Sequence, residues 1–164
     1  MDARITEGEL TFDFKDVVNA VKLDDKEHPC RRHYCGTADI IIERNDDLLI
    51  IEIKDPNASG TPDESCNKLL DKITAEKIYN KLVFSVAFLA VEEELDIRKK
   101  RDFILLFSGS IDDAMMQTLT DKYMNKLVHR GCDQGQKICH KFSVMNEISW
   151  SKYFPDYLIT RNIS

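Results

Sequence analysis

No stretch of eighteen consecutive apolar residues occurs in this 164-residue chain, so the sequence offers no segment suited to a transmembrane helix. Its first nine residues are polar and acidic, unlike the charged start and apolar run of a signal peptide. Cysteine is scarce and odd in number, five at irregular spacing. That fits reduced thiols in an intracellular protein, cytoplasmic or, in a eukaryote, nuclear, better than a disulfide framework. There is no phosphate-binding loop and no dinucleotide fingerprint. Basic residues are outnumbered, 23 against 29, for a net charge of −6. A broad nucleic-acid surface is therefore not expected, although local basic segments exist at Arg31 and Arg32 and from Arg98 to Arg101. The latter run reads as a solvated loop between two strands. Internal repeats and low-complexity tracts are absent.

Metal-finger spacing is missing as well. His28, Cys30, His33 and Cys35 precede the central part of the chain, and His129, Cys132, Cys139 and His140 follow it. Neither group matches a common zinc-ligand spacing, so they read as buried thiols and surface histidines. A Cys–His nucleophile pair has no third residue to orient it.

What is present suffices for one domain over residues 1–164, with 43% hydrophobic residues to build a core. Residues 10–25 carry a mostly helical pattern, with Phe14, Val17, Val18 and Val21 at helical spacing and Thr11 or Asp13 as the cap. Residues 38–43 and 48–54 are apolar and β-branched, as strands prefer, and 44–47 are turn-forming. A loop over 55–63 precedes an amphipathic helix to about residue 81, striped by Leu69, Leu70, Ile73, Ile78 and Leu82. Lys68, Lys72 and Lys77 fall on or near its outer side. Residues 82–91 and 102–108 read as buried strands. A helix over 110–130 runs from a Ser110 cap to a Gly131 terminator. Trp150, Tyr153, Phe154 and Tyr157 form an aromatic group that reads as core or subunit contact. The order helix, hairpin, helix, strand, strand, helix predicts an α/β fold with a mixed sheet.

The hairpin carries the chemistry. Glu52 follows Asp39 by thirteen residues, and Lys54 comes two later. A two-residue loop sets Arg44 opposite Asp47, and a four-residue loop sets Glu43 opposite Leu48; both place Asp39 directly across from Glu52. A three-residue loop would shift the register by one, but no glycine is present for the left-handed position that loop favours. Opposed residues have Cβ atoms about 4.5–5.5 Å apart. Strand side chains alternate, so Lys54 shares the face of Glu52 and Asp39, while Ile40, Ile42, Ile51 and Ile53 point into a core. Two carboxylates so close repel unless a positive charge stands between them. A hard divalent cation with oxygen ligands fits that need, and a metal-bound water is a ready nucleophile. Lys54 would orient or deprotonate that water, or steady charge on a phosphate.

Gly36-Thr-Ala-Asp39 on one strand and Glu52-Ile-Lys54 on the next resemble the PD-(D/E)XK nuclease superfamily over residues 36–56. The resemblance implies a restriction-endonuclease-like core, a central mixed β-sheet flanked by helices. It implies Asp39 and Glu52 as ligands of Mg²⁺ or Mn²⁺, aided by the Ile53 carbonyl, and Lys54 as the catalytic lysine. It implies a phosphodiester substrate, DNA before RNA, and a homodimer where duplex is cut. Family members also draw an acid from a preceding helix, for which Glu9, Asp13 and Asp16 are candidates, and a residue from the following helix, for which Lys68 and Lys72 are suited. No branch is assigned: Ala38 stands in place of the proline, and Ala75 stands four before Tyr79 where one branch has glutamine. The alternative is a non-catalytic module on the same fold, binding nucleic acid or protein.

Overall fold

The computed structural model describes residues 1–23, 36–56, 73–92, 95–109, 111–127 and 138–162, with side chains of 91–92 and 125–127 left aside. Eight strands and three helices are found there. They are β1 (Ala3–Glu7), β2 (Leu10–Phe14), β3 (Asn19–Lys22), β4 (Ile40–Glu43), β5 (Asp47–Lys54), α1 (Ala75–Glu92), β6 (Lys100–Phe107), α2 (Asp113–Leu127), β7 (Lys141–Asn146), α3 (Glu147–Tyr153) and β8 (Tyr157–Arg161).

Five strands make a mixed sheet in the order β3-β4-β5-β6-β7. β3, β4 and β5 pair antiparallel, whereas β6 and β7 add parallel to β5. The α/β class with a central mixed sheet flanked by helices is thus observed. β4 and β5 read as unbroken apolar runs because both their faces are covered. On one face Ile41, Leu48, Ile50, Phe103, Leu105 and Phe142 pack under α1 and α2. On the other, Ile40, Ile42, Leu49, Ile51 and Ile53 meet Phe12, Phe14, Trp150 and Tyr157. Those last residues belong to a second, three-stranded sheet, β1-β2-β8, and to α3.

Two expectations are corrected. The helix expected over 10–25 is not found in its described part, residues 10–23. Leu10, Phe12 and Phe14 are fully or almost fully buried, and β2 is paired by β1 on one side and β8 on the other. Thr11 and Asp13 are strand residues and cap nothing. Val17 is buried while Val18 is 47% exposed, so the valines share no face. Asp16 turns the chain with φ of 53°. Period-two apolar spacing over 10–14 competed with helical spacing further on, and the two flanking strands decided for β.

Residues 82–91 are likewise not a strand but most of α1. Thr74 starts that helix: its carbonyl takes Ile78 N–H at 3.1 Å and its hydroxyl takes Lys77 N–H at 3.2 Å. Ile78, Leu82 and Leu89 then fall on one buried face. A short apolar run reads as strand or buried helix alike, and periodicity does not separate them. The helix over 110–130 is observed as α2, started by Asp112, whose carboxylate accepts Met115 N–H at 2.7 Å. Ser110 and Gly131, the helix over 63–72 and residues 57–63 of the loop lie outside the described residues, as do Arg31 and Arg32.

Candidate active site

The hairpin has the expected register. Ladder pairs run from Glu43↔Leu48 to Ile40↔Ile51. Arg44 N–H donates to Asp47 O at 2.9 Å across a loop of Asn45 and Asp46. The ladder ends there: Asp39, one residue before β4, donates its N–H to Ile51 O at 3.0 Å, the residue opposite Ile40, so the expected direct pairing of Asp39 with Glu52 is replaced by a local offset. Glu52 stands on the helix-covered face with Ile50, where Lys81 of the helix reaches it, and Asp39 lies close enough for the Glu52 charge to act on it.

Both carboxylates are buried, Asp39 at 6% exposure and Glu52 at 1%. Asp39 Oδ2 accepts the Ile53 N–H at 2.6 Å. Lys54 Nζ donates to Glu52 Oε1. The other Glu52 oxygen, Oε2, accepts from Lys81 Nζ at 2.7 Å, and Lys81 also donates to Thr37 O at 3.0 Å. Lys81 comes from α1. Ser85, fully buried one turn on, accepts Ala38 N–H at 2.9 Å and donates to Lys81 O at 2.7 Å. Helix α1 is thereby clamped to the Thr37–Ala38–Asp39 segment by two side chains.

Burial pushes the Asp39 carboxyl up to about 7, and the neighbouring Glu52 charge adds to the rise; Lys81, the Ile53 N–H and Lys54 pull the other way without cancelling it. The consequence for stability has a definite sign. An unfolded aspartate ionises near 4, whereas native Asp39 keeps its proton to about 7. The native state therefore loses ground as pH rises from about 4 to 7, and the loss is complete above that. In chelator, Asp39→Asn is expected to match the wild type near pH 4.5. It should exceed the wild type by roughly 3–4 kcal/mol at pH 8. Urea unfolding of both proteins across that range measures it; a pH-independent difference between them would rule the assignment out.

The donor set suits a divalent cation. Asp39 and Glu52 offer hard oxygens, and Ile53, the residue after Glu52, donates its N–H to Asp39. The proton that Asp39 retains reflects burial first and the neighbouring Glu52 charge second, which Lys81 and Lys54 do not cancel. No third aspartate, glutamate, histidine or cysteine joins this pair among the described residues.

The other candidates fall elsewhere. Asp13 pairs with Arg4 at 2.5 Å, and Asp16 N–H turns back to Asp2. Lys77 is exposed on α1, and Lys68 and Lys72 lie outside the described residues. Arg98 pairs with Asp96 at 2.8 Å, Lys99 with Glu43 at 2.8 Å, and Arg101 donates to Ile138 O at 2.8 Å, so most of this run is used within the chain. Lys100 and Arg101 belong to β6 rather than to a loop. Cys139 is buried, its thiol pushed up to about 11 by burial, which leaves it inert. His28, Cys30, His33, Cys35, His129 and Cys132 lie outside the described residues. Trp150, Phe154 and Tyr157 pack together on the sheet, while Tyr153 is 63% exposed.

Two features escaped the sequence. Lys81 is one; its signal was a lysine on the apolar stripe of Ile78, Leu82, Ser85 and Leu89, where solvent-seeking residues do not belong. The other is Arg161, at the end of β8. It holds Asp55 through two hydrogen bonds of 3.0 and 2.9 Å, and Glu9 at 3.1 Å. Its other neighbour, Ser108, accepts from it at 2.5 Å and donates N–H to Lys54 O at 2.8 Å. The residue after Lys54 is thus tied to the last strand of the chain.

No known family profile and no curated protein matches this chain. Among solved structures it is similar to the small subunit of the heterodimeric restriction endonuclease R.BspD6I, at 15% sequence identity and a TM-score of 0.39. The similarity covers 86% of this chain and 62% of that subunit, so the chain spans less than two thirds of the subunit's length.

Proposed function

We propose that this protein is a divalent-metal-dependent nuclease that hydrolyses phosphodiester bonds, in DNA before RNA. One observation carries the reading: Asp39 and Glu52 are both buried at the open end of the hairpin, close enough that the Glu52 charge raises the Asp39 carboxyl, with the Lys54 ammonium on Glu52. A carboxylate pair in that position is costly for stability and has chemical use.

Asp39, Glu52 and the Ile53 carbonyl would hold the ion. Mg²⁺ or Mn²⁺, when bound, supplies an acidified water and neutralises charge on the phosphate. Burial of the two acids keeps bulk water away from their charges. Lys54 orients the attacking water and steadies the phosphoryl oxygen as charge grows there. The water oxygen attacks phosphorus in line and the bond to the leaving oxygen breaks; the water proton passes to solvent and a proton from solvent settles on the leaving oxygen, while Lys54 stays an ammonium. Cutting both strands of a duplex asks for two copies, so a homodimer belongs to this proposal. No described helix is long and apolar enough to cross a membrane; an intracellular setting is proposed on the cysteine usage.

A second reading has a specific observation behind it. Both Glu52 oxygens already have a lysine partner, so the same fold could serve as a non-catalytic nucleic-acid or protein-binding module. The protein should be incubated with linear, circular and junction DNA and with RNA, with and without Mg²⁺. Cleavage that requires Mg²⁺ is expected on at least one substrate. Intact substrates throughout, with no Mn²⁺ heat by calorimetry, would leave the second reading standing.

A further inference from the structure

We propose that Lys81 is a substrate-phosphate ligand of this site, held on Glu52 until a cation takes that carboxylate. The inference rests on the nuclease reading. Glu52 is 1% exposed, and each of its oxygens accepts from one ammonium. A divalent cation needs at least one of those oxygens, and an ammonium on the same oxygen repels it. One lysine must yield.

The surroundings select Lys81. Lys54 starts from the same strand and face as Glu52, two residues on, and the proposed reaction keeps it beside the attacking water. Lys81 reaches in from a helix and has a second acceptor, the Thr37 carbonyl at 3.0 Å. It can leave Glu52 and keep a partner at the site. Its backbone does not follow, because Ser85 ties Lys81 O to Ala38 N–H. Only the four-carbon stem moves, and that stem is flexible. The Lys81 side chain is 30% exposed, so its ammonium already stands at the border between the buried acids and solvent. A phosphodiester arriving there brings the negative charge that Lys81 loses when it gives up Glu52.

Lys81→Met tests this through two readouts. Mn²⁺ calorimetry without nucleic acid should show binding about 3–10-fold tighter than wild type, because a competing positive charge is gone. The salt dependence of kcat/KM on duplex DNA should flatten by about 0.9 in log–log slope, the loss of one phosphate contact. Lys81→Arg should retain the wild-type slope, and Lys77→Met, on the exposed side of the same helix, should leave both readouts unchanged. Lys81→Gln is expected to repeat both shifts and serves if the methionine variant does not fold. An unchanged slope, or Mn²⁺ binding equal to or weaker than wild type, overturns the inference alone. A wild type that neither binds Mn²⁺ nor cleaves overturns it together with the nuclease reading.

Discussion

Glu52→Gln is expected to leave the protein folded and to cut Mg²⁺-dependent cleavage by about 10²–10³-fold, the range seen when a single preorganised electrostatic group is lost. The substitution keeps the shape of a side chain that is 1% exposed, so packing against the sheet survives. What changes is charge. The amide oxygen still accepts from one lysine, but its NH₂ faces the other as donor against donor. That mismatch costs about 1–3 kcal/mol where water cannot repair it. Lys54 and Lys81 side chains are 28% and 30% exposed, so water reaches both and the cost falls at the lower end. Removing the Glu52 charge also relieves Asp39, whose pKa it raises. Near-wild-type stability at neutral pH and lost activity should therefore appear together. Asp39 should also titrate below about 7 in this variant, since one cause of its rise is gone. Circular dichroism melts and a plasmid-nicking assay check the pair of outcomes; cleavage within tenfold of wild type would show that Glu52 holds no essential ion. Lys54→Ala is expected to lose activity as well, with the fold kept, because that lysine's side chain is partly exposed and truncation leaves only Glu52 short of one partner.

Trp150→Ala should have the largest effect on stability. This is the single tryptophan of the chain, and it is fully buried where α3 joins the two sheets. Its ring meets Phe154 at 4.8 Å between centroids, Phe12 edge-on at 6.3 Å and Tyr157 at 6.5 Å. Its indole N–H donates to Tyr157 O at 2.7 Å. Truncation to alanine removes the ring from water-free surroundings and leaves a cavity, a loss of about 3–5 kcal/mol for residues of this kind. The orphaned Tyr157 carbonyl adds roughly another 1 kcal/mol. For a domain of this size each kcal/mol shifts Tm by about 2–4 °C, so a fall of roughly 10–20 °C is expected. Trp150→Phe should lie between the two, keeping the ring contact and losing the hydrogen bond. Thermal melts followed at 222 nm measure both; a drop under about 4 °C for the alanine variant would mean that the small sheet is not held by this contact.

The effects separate because they live on opposite faces of the central sheet. Glu52 stands on the face under α1 and α2, whereas Trp150 packs on the face carrying the three-stranded sheet. A stability defect at Trp150 need not touch the acids, and a charge change at Glu52 need not loosen the small sheet.

The sequence alone determined the hairpin: where it turns, which residues of 40–43 and 48–51 oppose each other, and that Glu52 and Lys54 share a face. Those facts are local. Turn residues set the loop, the two-residue period sets the face, and both act within a few positions along the chain. It also placed a strand over 102–108 and a helix over 110–130, observed as Lys100–Phe107 and Asp113–Leu127. Only the tertiary structure decided the rest. Leu10–Phe14 became a strand because β8, from the far end of the chain, supplies its second ladder. Residues 82–91 became helix because that apolar run meets the sheet with one face, a choice its composition does not encode. Lys81 and Arg161 reached the ends of β5 through contacts spanning 29 and 106 residues. No local pattern predicts such a meeting, because it depends on how α1 and β8 dock against the sheet, and docking is settled by the packed core as a whole.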